Sequence, residues 1–253
     1  MPRNLPYSCI GRVDVAIDMR EQRQPSATEI SISHGYRAAA DVRHSGGDFL
    51  TFASNHDGTL SFAIGDVSAK GMAGDQQARQ LCRAARMAMM LTRRASPILE
   101  SVSEAFYRLI APQSDEYSAC VAAGTFDPRG SVLHYAAAGT EAAIVVRNLA
   151  NHEHLGPTGP LIGASQAVSF GEVSVPFESG CALLLFTDGI VESRGSDGKL
   201  LGTCGLMQLV RRSIEKRIVP CSSQLLHEVD RHCHGAYRDD ATLAIALALD
   251  PGV

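Results

Sequence analysis

The chain has 253 residues, with 27 acidic and 23 basic side chains and a formal net charge of −4 at pH 7. This near balance argues against a general nucleic-acid-binding protein, because such domains usually carry a clear basic excess. The hydrophobic fraction of 45% is too high for a disordered chain, and no segment approaches the roughly 20 consecutive apolar residues that cross a bilayer. We therefore expect a folded protein that binds neither nucleic acid nor a membrane.

The cysteines indicate a reducing compartment. Seven of them are scattered along the chain without a C-x-x-C pair, whereas a disulfide framework needs a denser and even set. Residues 1–22 also lack the continuous apolar stretch of a secretory signal. We expect a cytoplasmic protein. Two clusters, His152 with His154 and His232 with Cys233 and His234, have no further ligands at the spacing of a transition-metal site.

The N-terminal third is predicted to contain three antiparallel strands. Residues 1–35 are polar and weakly patterned, which favours an arm or an edge element before a single domain of residues 36–250. The predicted strands are residues 36–43, 49–54 and 59–65. Turn sequences rich in Gly, Asn and Asp separate these short apolar segments, and such residues favour tight turns.

Helices and further strands follow. A long helix over residues 73–94 is predicted because Ala78, Leu81, Ala85 and Met89 recur at helical spacing, and a second helix begins with Ser96 as N-cap. The remaining strands are predicted at 118–126, 131–137, 142–147, 181–186 and 242–249, and the remaining helices at 205–214 and 222–232. Strands at both ends, with helix pairs between and after them, predict a layered α+β sandwich.

Four acidic turns adjoin the predicted strands. They are Gly46-Gly47-Asp48, Gly65-Asp66-Val67-Ser68, Thr187-Asp188-Gly189 and Asp239-Asp240. Any one of them could be an ordinary turn, since Asp-Gly is a common turn sequence. Four carboxylate turns without nearby Cys or His ligands, all at strand ends, instead favour a site for hard cations such as Mg²⁺ or Mn²⁺.

These turns belong to an ordered set of motifs. The segments are GGDF at 46–49, GDVSAKG at 65–71, YAAAGT at 135–140, GPLIG at 159–163, LLFTDGIVESR at 184–194 and DDATL at 239–243. In this order, over about residues 36–249, they resemble the SpoIIE/RsbU-like branch of the metal-dependent type 2C (PPM) serine/threonine protein phosphatases.

The resemblance implies a fold, a cofactor and a site. The fold is a four-layer α-β-β-α sandwich, in which helix pairs flank a central antiparallel β-sandwich. Two Mn²⁺ or Mg²⁺ ions are implied, with Asp66 bridging them, and Asp66, Asp188 and Asp239 as the catalytic residues. The implied metal ligands are Asp48, Asp66, the carbonyl of Val67, Asp188 and Asp239. Asp239 rather than Asp240 matches the ligand position of the doublet.

The resemblance also implies a reaction and a partner. A metal-activated hydroxide would hydrolyse a phosphoserine or phosphothreonine, and members of this branch act on phosphorylated anti-anti-sigma or STAS-type proteins. Thr51, Ala69 and Thr140 depart from the family pattern, but none stands at a ligand position, so metal binding is expected to survive. Ser68 stands where the wider type 2C family often has a histidine, so no histidine general acid is expected there.

Three other functions compete with this interpretation. The GGDF segment suggests a diguanylate cyclase, but that signature needs an acid directly after Asp48, where Phe49 stands. A Ser–His–Asp hydrolase lacks its G-x-S-x-G turn. The remaining alternative is a non-catalytic module of the same fold that holds an anti-sigma or STAS partner.

One face of the predicted long helix is cationic. It carries Arg79, Arg83, Arg86, Arg93 and Arg94, and after Asp75 no acid occurs before Glu100. A solvated surface explains such a run. The alternative hypothesis is a docking face for an acidic phosphoprotein.

Overall fold

Two antiparallel sheets of five strands each form the centre of the protein, in a computed structural model that describes residues 28–41, 46–139, 143–148, 150–215 and 221–250. Within these residues the strands are β1 (Glu29–Arg37), β2 (Asp48–Ser54), β3 (Leu60–Val67), β4 (Ala119–Asp127), β5 (Val132–Ala138), β6 (Ala143–Val146), β7 (His152–Leu155), β8 (Val173–Pro176), β9 (Ala182–Phe186) and β10 (Ala241–Leu249). One sheet has the order β1-β10-β9-β6-β7, and the other has the order β2-β3-β4-β5-β8.

The helices form one layer on the outside of each sheet. They are α1 (Gly71–Leu91), α2 (Ala95–Leu109), α3 (Asp188–Val191), α4 (Gly202–Glu215) and α5 (Ser222–Cys233), with a 3₁₀ turn at Ala111–Gln113. Helices α1 and α2 cover the β2–β8 sheet, and α4 and α5 cover the other. The four-layer α-β-β-α sandwich expected from the sequence is confirmed. No helix in the described ranges is both long and apolar enough to span a bilayer.

The alternation of side chains along each strand builds this layering. Successive strand residues point to opposite faces of a sheet. In β2, Phe52 joins the core between the sheets, while Phe49 packs under α1 and α2. In β9, Leu183 lies between the sheets and Leu184 under α4 and α5. Because both faces of the central strands are covered, β9 and β10 are almost continuously apolar.

The first strand lies earlier than predicted. It spans Glu29–Arg37 and pairs antiparallel with β10, so the prediction of a strand at 36–43 is wrong, and β1 contains residues on both sides of the expected boundary at residue 36. The apolar run after Arg37 leaves the sheet because its amides bond elsewhere. Ala39 donates to Asp240 Oδ1 at 3.0 Å and Ala40 to the Tyr237 carbonyl at 2.8 Å. Residues 1–27 of the expected arm lie outside the described residues.

The junction between α1 and α2 also differs from the prediction. Helix α1 ends at Leu91, three residues before the predicted end, and α2 begins at Ala95, so Ser96 lies inside the helix and is not its N-cap. The Ser96 backbone N–H donates to Glu172 Oε2 at 3.1 Å, and its hydroxyl donates to the Phe170 carbonyl at 2.8 Å. A carboxylate from a distant loop therefore satisfies a free amide of the first turn.

Candidate metal centre

The sheet topology brings the four acidic turns to one end of the sandwich. Asp48 begins β2 and Asp66 lies near the end of β3, directly opposite each other in the register. Asp188 follows β9, and Asp239 precedes β10. Because β9 and β10 are antiparallel neighbours, the end of one lies beside the start of the other, and the predicted site residues come together.

The carboxylates are close enough to perturb one another. Burial, together with the charges of Asp188 and Asp239, raises the pKa of Asp66 to about 7, although Lys70 opposes the shift. Burial and then the charge of Asp66 raise the pKa of Asp48 well above its usual range. Burial and then the charge of Asp239 raise the pKa of Asp188. Such mutual shifts are the electrostatic signature of a carboxylate cluster that needs a counter-charge.

Two of the buried carboxylate oxygens have no hydrogen-bond partner among the described residues. They are Asp48 Oδ1 and Asp66 Oδ1, of which the second forms an ion pair with Lys70 Nζ at 3.5 Å. A buried acceptor that is left unsatisfied costs free energy, and more so when it is charged. Oxygen donors of this kind fit a hard divalent cation such as Mg²⁺ or Mn²⁺.

Lys70 brings a cationic group into the carboxylate cluster. Its Nζ lies 2.7 Å from Asp239 Oδ1 and 3.5 Å from Asp66 Oδ1. In the part of the chain that the structure describes, no three His, Cys, Asp or Glu side chains stand grouped around a common point as metal ligands do. Lys70 forms ion pairs with two of the four carboxylates, those of Asp66 and Asp239.

Gly47 lets the backbone pass close to the implied ligands. The Val67 N–H donates to the Gly47 carbonyl at 3.0 Å. A Cβ at Gly47 would collide with Asp66 Oδ1 and would come within 2.6 Å of the Val67 carbonyl oxygen. Only glycine fits this approach, because the Asp66 carboxylate and the Val67 carbonyl oxygen both face the Gly47 backbone.

Asp240 has a different environment from Asp239. Its side chain is 1% exposed, and both oxygens accept backbone amides, Oδ1 from Ala39 at 3.0 Å and Oδ2 from Gly46 at 2.6 Å. It thereby fixes the backbone on both sides of the segment that leads into Asp48. Asp240 therefore holds the backbone at Ala39 and at Gly46 in place.

The family departures lie outside the carboxylate cluster where the structure describes them. Thr51 is buried in β2 on the same face as Phe49, toward α1 and α2. Ala69 packs in the same core, and the hydroxyl oxygen of Ser68 accepts the Ser118 N–H at 2.9 Å. Thr140 lies outside the described residues.

The continuous cationic face predicted for α1 is wrong. Helix α1 ends before Arg93, and three of the five arginines have carboxylate partners: Arg79 with Asp75, Arg93 with Asp57 and Arg94 with Glu172. Two of these acids, Asp57 and Glu172, lie in loops that are distant in sequence. The spacing of charges along one helix therefore could not predict these ion pairs. Arg83 and Arg86 are exposed, and they form no ion pair within the described ranges.

Three side chains at the site carried no predicted role. Lys70, Thr187 and Thr242 all lie within the quoted motifs, so the signal was their position next to an acidic turn. Lys70 contacts Asp239 across 169 residues of sequence. The two threonines both donate to Asp48. Contacts of this kind depend on how the sheets are placed together.

The α-β-β-α sandwich of this protein is shared with solved structures of known proteins. Three solved structures share the fold: the RsbU and RsbW domains of a Mycobacterium tuberculosis protein, SpoIIE from Bacillus subtilis, and RsbX in complex with magnesium. The first is 26% identical with a TM-score of 0.72, covering 90% of this chain and 62% of that chain. The second is 14% identical with a TM-score of 0.71, and the match covers 88% of this chain and 64% of that chain. The third is 11% identical with a TM-score of 0.63, and the match covers 87% of this chain and 98% of that chain.

The sequence identifies the family. The model of the stage II sporulation protein E (SpoIIE) family matches residues 56–247, and the chain belongs to this family of type 2C phosphatase domains. The chain covers less than two thirds of the M. tuberculosis structure and of the SpoIIE structure, 62% and 64% of their lengths. No curated protein matches the chain.

Proposed function

We propose that the protein is a metal-dependent phosphatase that removes phosphate from serine or threonine of a regulatory protein. The observation that carries this proposal is the gathering of carboxylates at one end of the sandwich, where the buried Asp48 Oδ1 has no hydrogen-bond partner among the described residues. Family membership supports the reaction class. The free cysteines of the described residues are consistent with a cytoplasmic location.

The proposed ligands are the predicted ones. Asp48, Asp66, Asp188, Asp239 and the Val67 carbonyl would hold two Mn²⁺ or Mg²⁺ ions, and the magnesium in RsbX supports this choice of metal. When bound, such cations lower the pKa of a water molecule and offset charge on the phosphoryl oxygens. Asp66 lies opposite Asp48 in the β2–β3 register, and its charge is coupled to those of Asp188 and Asp239. It would therefore be a ligand of both ions.

Lys70 would change partners when the site is loaded. Its ammonium pairs with Asp239 and Asp66, two of the proposed ligands, so a divalent cation competes with it for the same oxygens. Its side chain is partly exposed. On this proposal the ammonium would then pair with a phosphoryl oxygen of the substrate, an interaction that charge assistance strengthens.

The test is phosphate release from p-nitrophenyl phosphate and from a serine-phosphorylated STAS-domain protein. We expect release in Mn²⁺ and none above background in EDTA. Folded protein that releases no phosphate from either substrate in Mn²⁺ or Mg²⁺ would contradict the proposal. The alternative function, a non-catalytic module that holds a STAS or anti-sigma partner, would then account for the fold.

The protein substrate is proposed to dock on the outer face of α1. Arg83 and Arg86 are exposed there, next to Met87, Met90 and Leu91, which are 62%, 65% and 85% exposed. Cationic and apolar side chains together suit an acidic amphipathic segment. At 1.5 Å per residue, Arg86 lies roughly 20 Å along α1 from the site, a distance that a small folded substrate can bridge.

The double variant Arg83→Glu and Arg86→Glu tests the docking face. We expect kcat/KM on the phosphorylated STAS protein to fall about tenfold, because reversed charges repel an acidic partner, with p-nitrophenyl phosphate turnover unchanged. The matched control is Arg211→Glu with Arg212→Glu, two exposed arginines of α4 on the other layer. Equal loss on both substrates, or equal loss in the control, would refute the docking face.

A further inference from the structure

The side chain of Asp48 is held by two threonines of the opposite sheet. Thr187 Oγ1 lies 2.8 Å and Thr242 Oγ1 2.6 Å from Asp48 Oδ2. All three residues are buried. Asp48 begins β2 of one sheet, whereas Thr187 follows β9 and Thr242 lies in β10 of the other sheet.

The direction of these hydrogen bonds can be assigned. The Thr242 backbone N–H donates to Thr187 Oγ1 at 2.9 Å, so that oxygen already accepts a proton. The single hydroxyl proton of Thr187 is then free to be donated to Asp48 Oδ2, 2.8 Å away. The Thr242 hydroxyl donates to the same oxygen. Asp48 Oδ2 thus receives two hydrogen bonds, while Oδ1 is buried and accepts none from the part of the chain that the structure describes.

This asymmetry has a consequence for the proposed metal site, on which the inference rests. A carboxylate with both oxygens free would rotate about its terminal torsion, which has broad minima. Two donors on one oxygen fix that torsion and leave the other oxygen as the metal-facing atom. Groups that orient a ligand in this way commonly tune metal affinity by 10–100-fold. We propose that Thr187 and Thr242 are positioning residues that present Asp48 Oδ1 to a divalent cation.

The two threonines are not equivalent as experimental targets. Thr187→Val removes a donor to Asp48 and also leaves the buried Thr242 N–H without its acceptor, which adds a stability cost. Thr242→Val removes only the hydroxyl, because the Thr242 backbone bond is kept. Valine matches threonine in shape, so Thr242→Val is the cleaner variant and Thr242→Ser is its rescue.

The experiment measures Mn²⁺ binding to metal-free protein by calorimetric titration, without substrate. We expect Thr242→Val to weaken the Mn²⁺ affinity about tenfold and Thr242→Ser to restore it. At saturating Mn²⁺, the kcat of Thr242→Val on p-nitrophenyl phosphate should return to within about threefold of the wild-type value, because the ligand itself is retained. Thr125→Val is the matched control: Thr125 is buried and bonds Ser61 Oγ at 2.8 Å in the core, and its loss should leave Mn²⁺ affinity unchanged.

Each outcome separates this role from the proposed function. Folded Thr242→Val with wild-type Mn²⁺ affinity would overturn the positioning role while leaving the phosphatase proposal intact. Weakened affinity in a protein that hydrolyses neither substrate would support the positioning role and contradict the phosphatase. If Thr242→Val does not fold, Thr187→Ser with Thr242→Ser keeps both hydroxyls without their methyl groups. If this double variant binds Mn²⁺ with wild-type affinity, the two hydroxyls are sufficient to position Asp48. A tenfold loss of affinity would overturn the proposed role of the hydroxyls.

Discussion

Asp66→Asn is expected to lower Mn²⁺-dependent phosphate release by roughly 10³-fold while making the metal-free protein more stable. The carboxylate of Asp66 lies at the centre of the cluster, and its charge is coupled to those of Asp48, Asp188 and Asp239. Removing it takes away a proposed ligand of both ions, and catalysis by charge stabilisation falls steeply when one contributor is lost.

The gain in stability follows from the same geometry. Burial and the charges of Asp188 and Asp239 disfavour the ionised form of Asp66 more than the Lys70 ammonium, 3.5 Å from Oδ1, favours it, since the pKa of Asp66 is raised. Asparagine is neutral and almost the same size, so the repulsion disappears without a cavity. Opposite changes in activity and stability are typical of functional sites, where charges are gathered for chemistry at a cost to the fold.

The measurement pairs p-nitrophenyl phosphate turnover in Mn²⁺ with urea unfolding in EDTA at pH 7. Asp197→Asn is the matched control, because Asp197 is exposed in a turn beside Lys199, and it should change neither quantity appreciably. Asp66→Asn with more than a tenth of wild-type turnover would refute the central role of Asp66. A variant that is less stable than wild type would instead show that Asp66 supports the fold.

The convergence of the acidic turns was predictable because local patterns encode it. Asp48, Asp66, Asp188 and Asp239 each adjoin a short apolar run and a turn sequence, and antiparallel pairing then brings strand ends together. The face of α1 that packs on the sheet was equally clear, since Ala78, Leu81, Ala85 and Met89 are all buried. Periodicity within one element requires no knowledge of the neighbours.

Contacts between distant segments were not predictable in this way. The Lys70–Asp239 pair, the Arg93–Asp57 pair and the two hydroxyls on Asp48 join elements whose relative placement only the folded chain defines. The strands β7 and β8 are only four residues long, too short for a period of two to be recognised. For β1, the run of alanines after Arg37 imitated a strand, whereas the alternation of Ile30 and Ile32 marks the real one.

The stability of the metal-free protein is expected to fall as the pH rises from 5 to 7. The pKa of Asp66 is raised from 3.8 to about 7 in the folded protein. Between these values the folded state binds more protons than the unfolded state, so unfolding becomes easier with rising pH. At 1.36 kcal/mol per unit, the full penalty is roughly 4 kcal/mol above pH 7, and about 2 kcal/mol of it develops between pH 5 and 7.

The raised pKa values of Asp48 and Asp188 act with the same sign. Asp57 and Asp230 have lowered pKa values, so their stabilising contributions are lost only at pH values near or below 4, outside this window. The contribution of Asp66 is isolated by comparison with Asp66→Asn. The measurement is urea unfolding in EDTA at pH 5, 6 and 7, in which the stability difference between the two proteins should grow with pH. If the free energies of unfolding of the two proteins instead changed in parallel with pH, the ionisation of Asp66 would not be unfavourable in the folded state.

Saturating Mn²⁺ should reverse this pH dependence. Divalent cations bind the ionised carboxylates and compete with protons for them, so their stabilising effect, which follows RT ln(1 + [L]/Kd), increases as the pH rises. The wild-type protein should then be more stable at pH 7 than at pH 5, and Asp66→Asn should gain less from the metal. On this proposal, the carboxylate charges that destabilise the protein in EDTA at neutral pH are also the charges that bind Mn²⁺ tightly. Their binding of the metal then stabilises the fold.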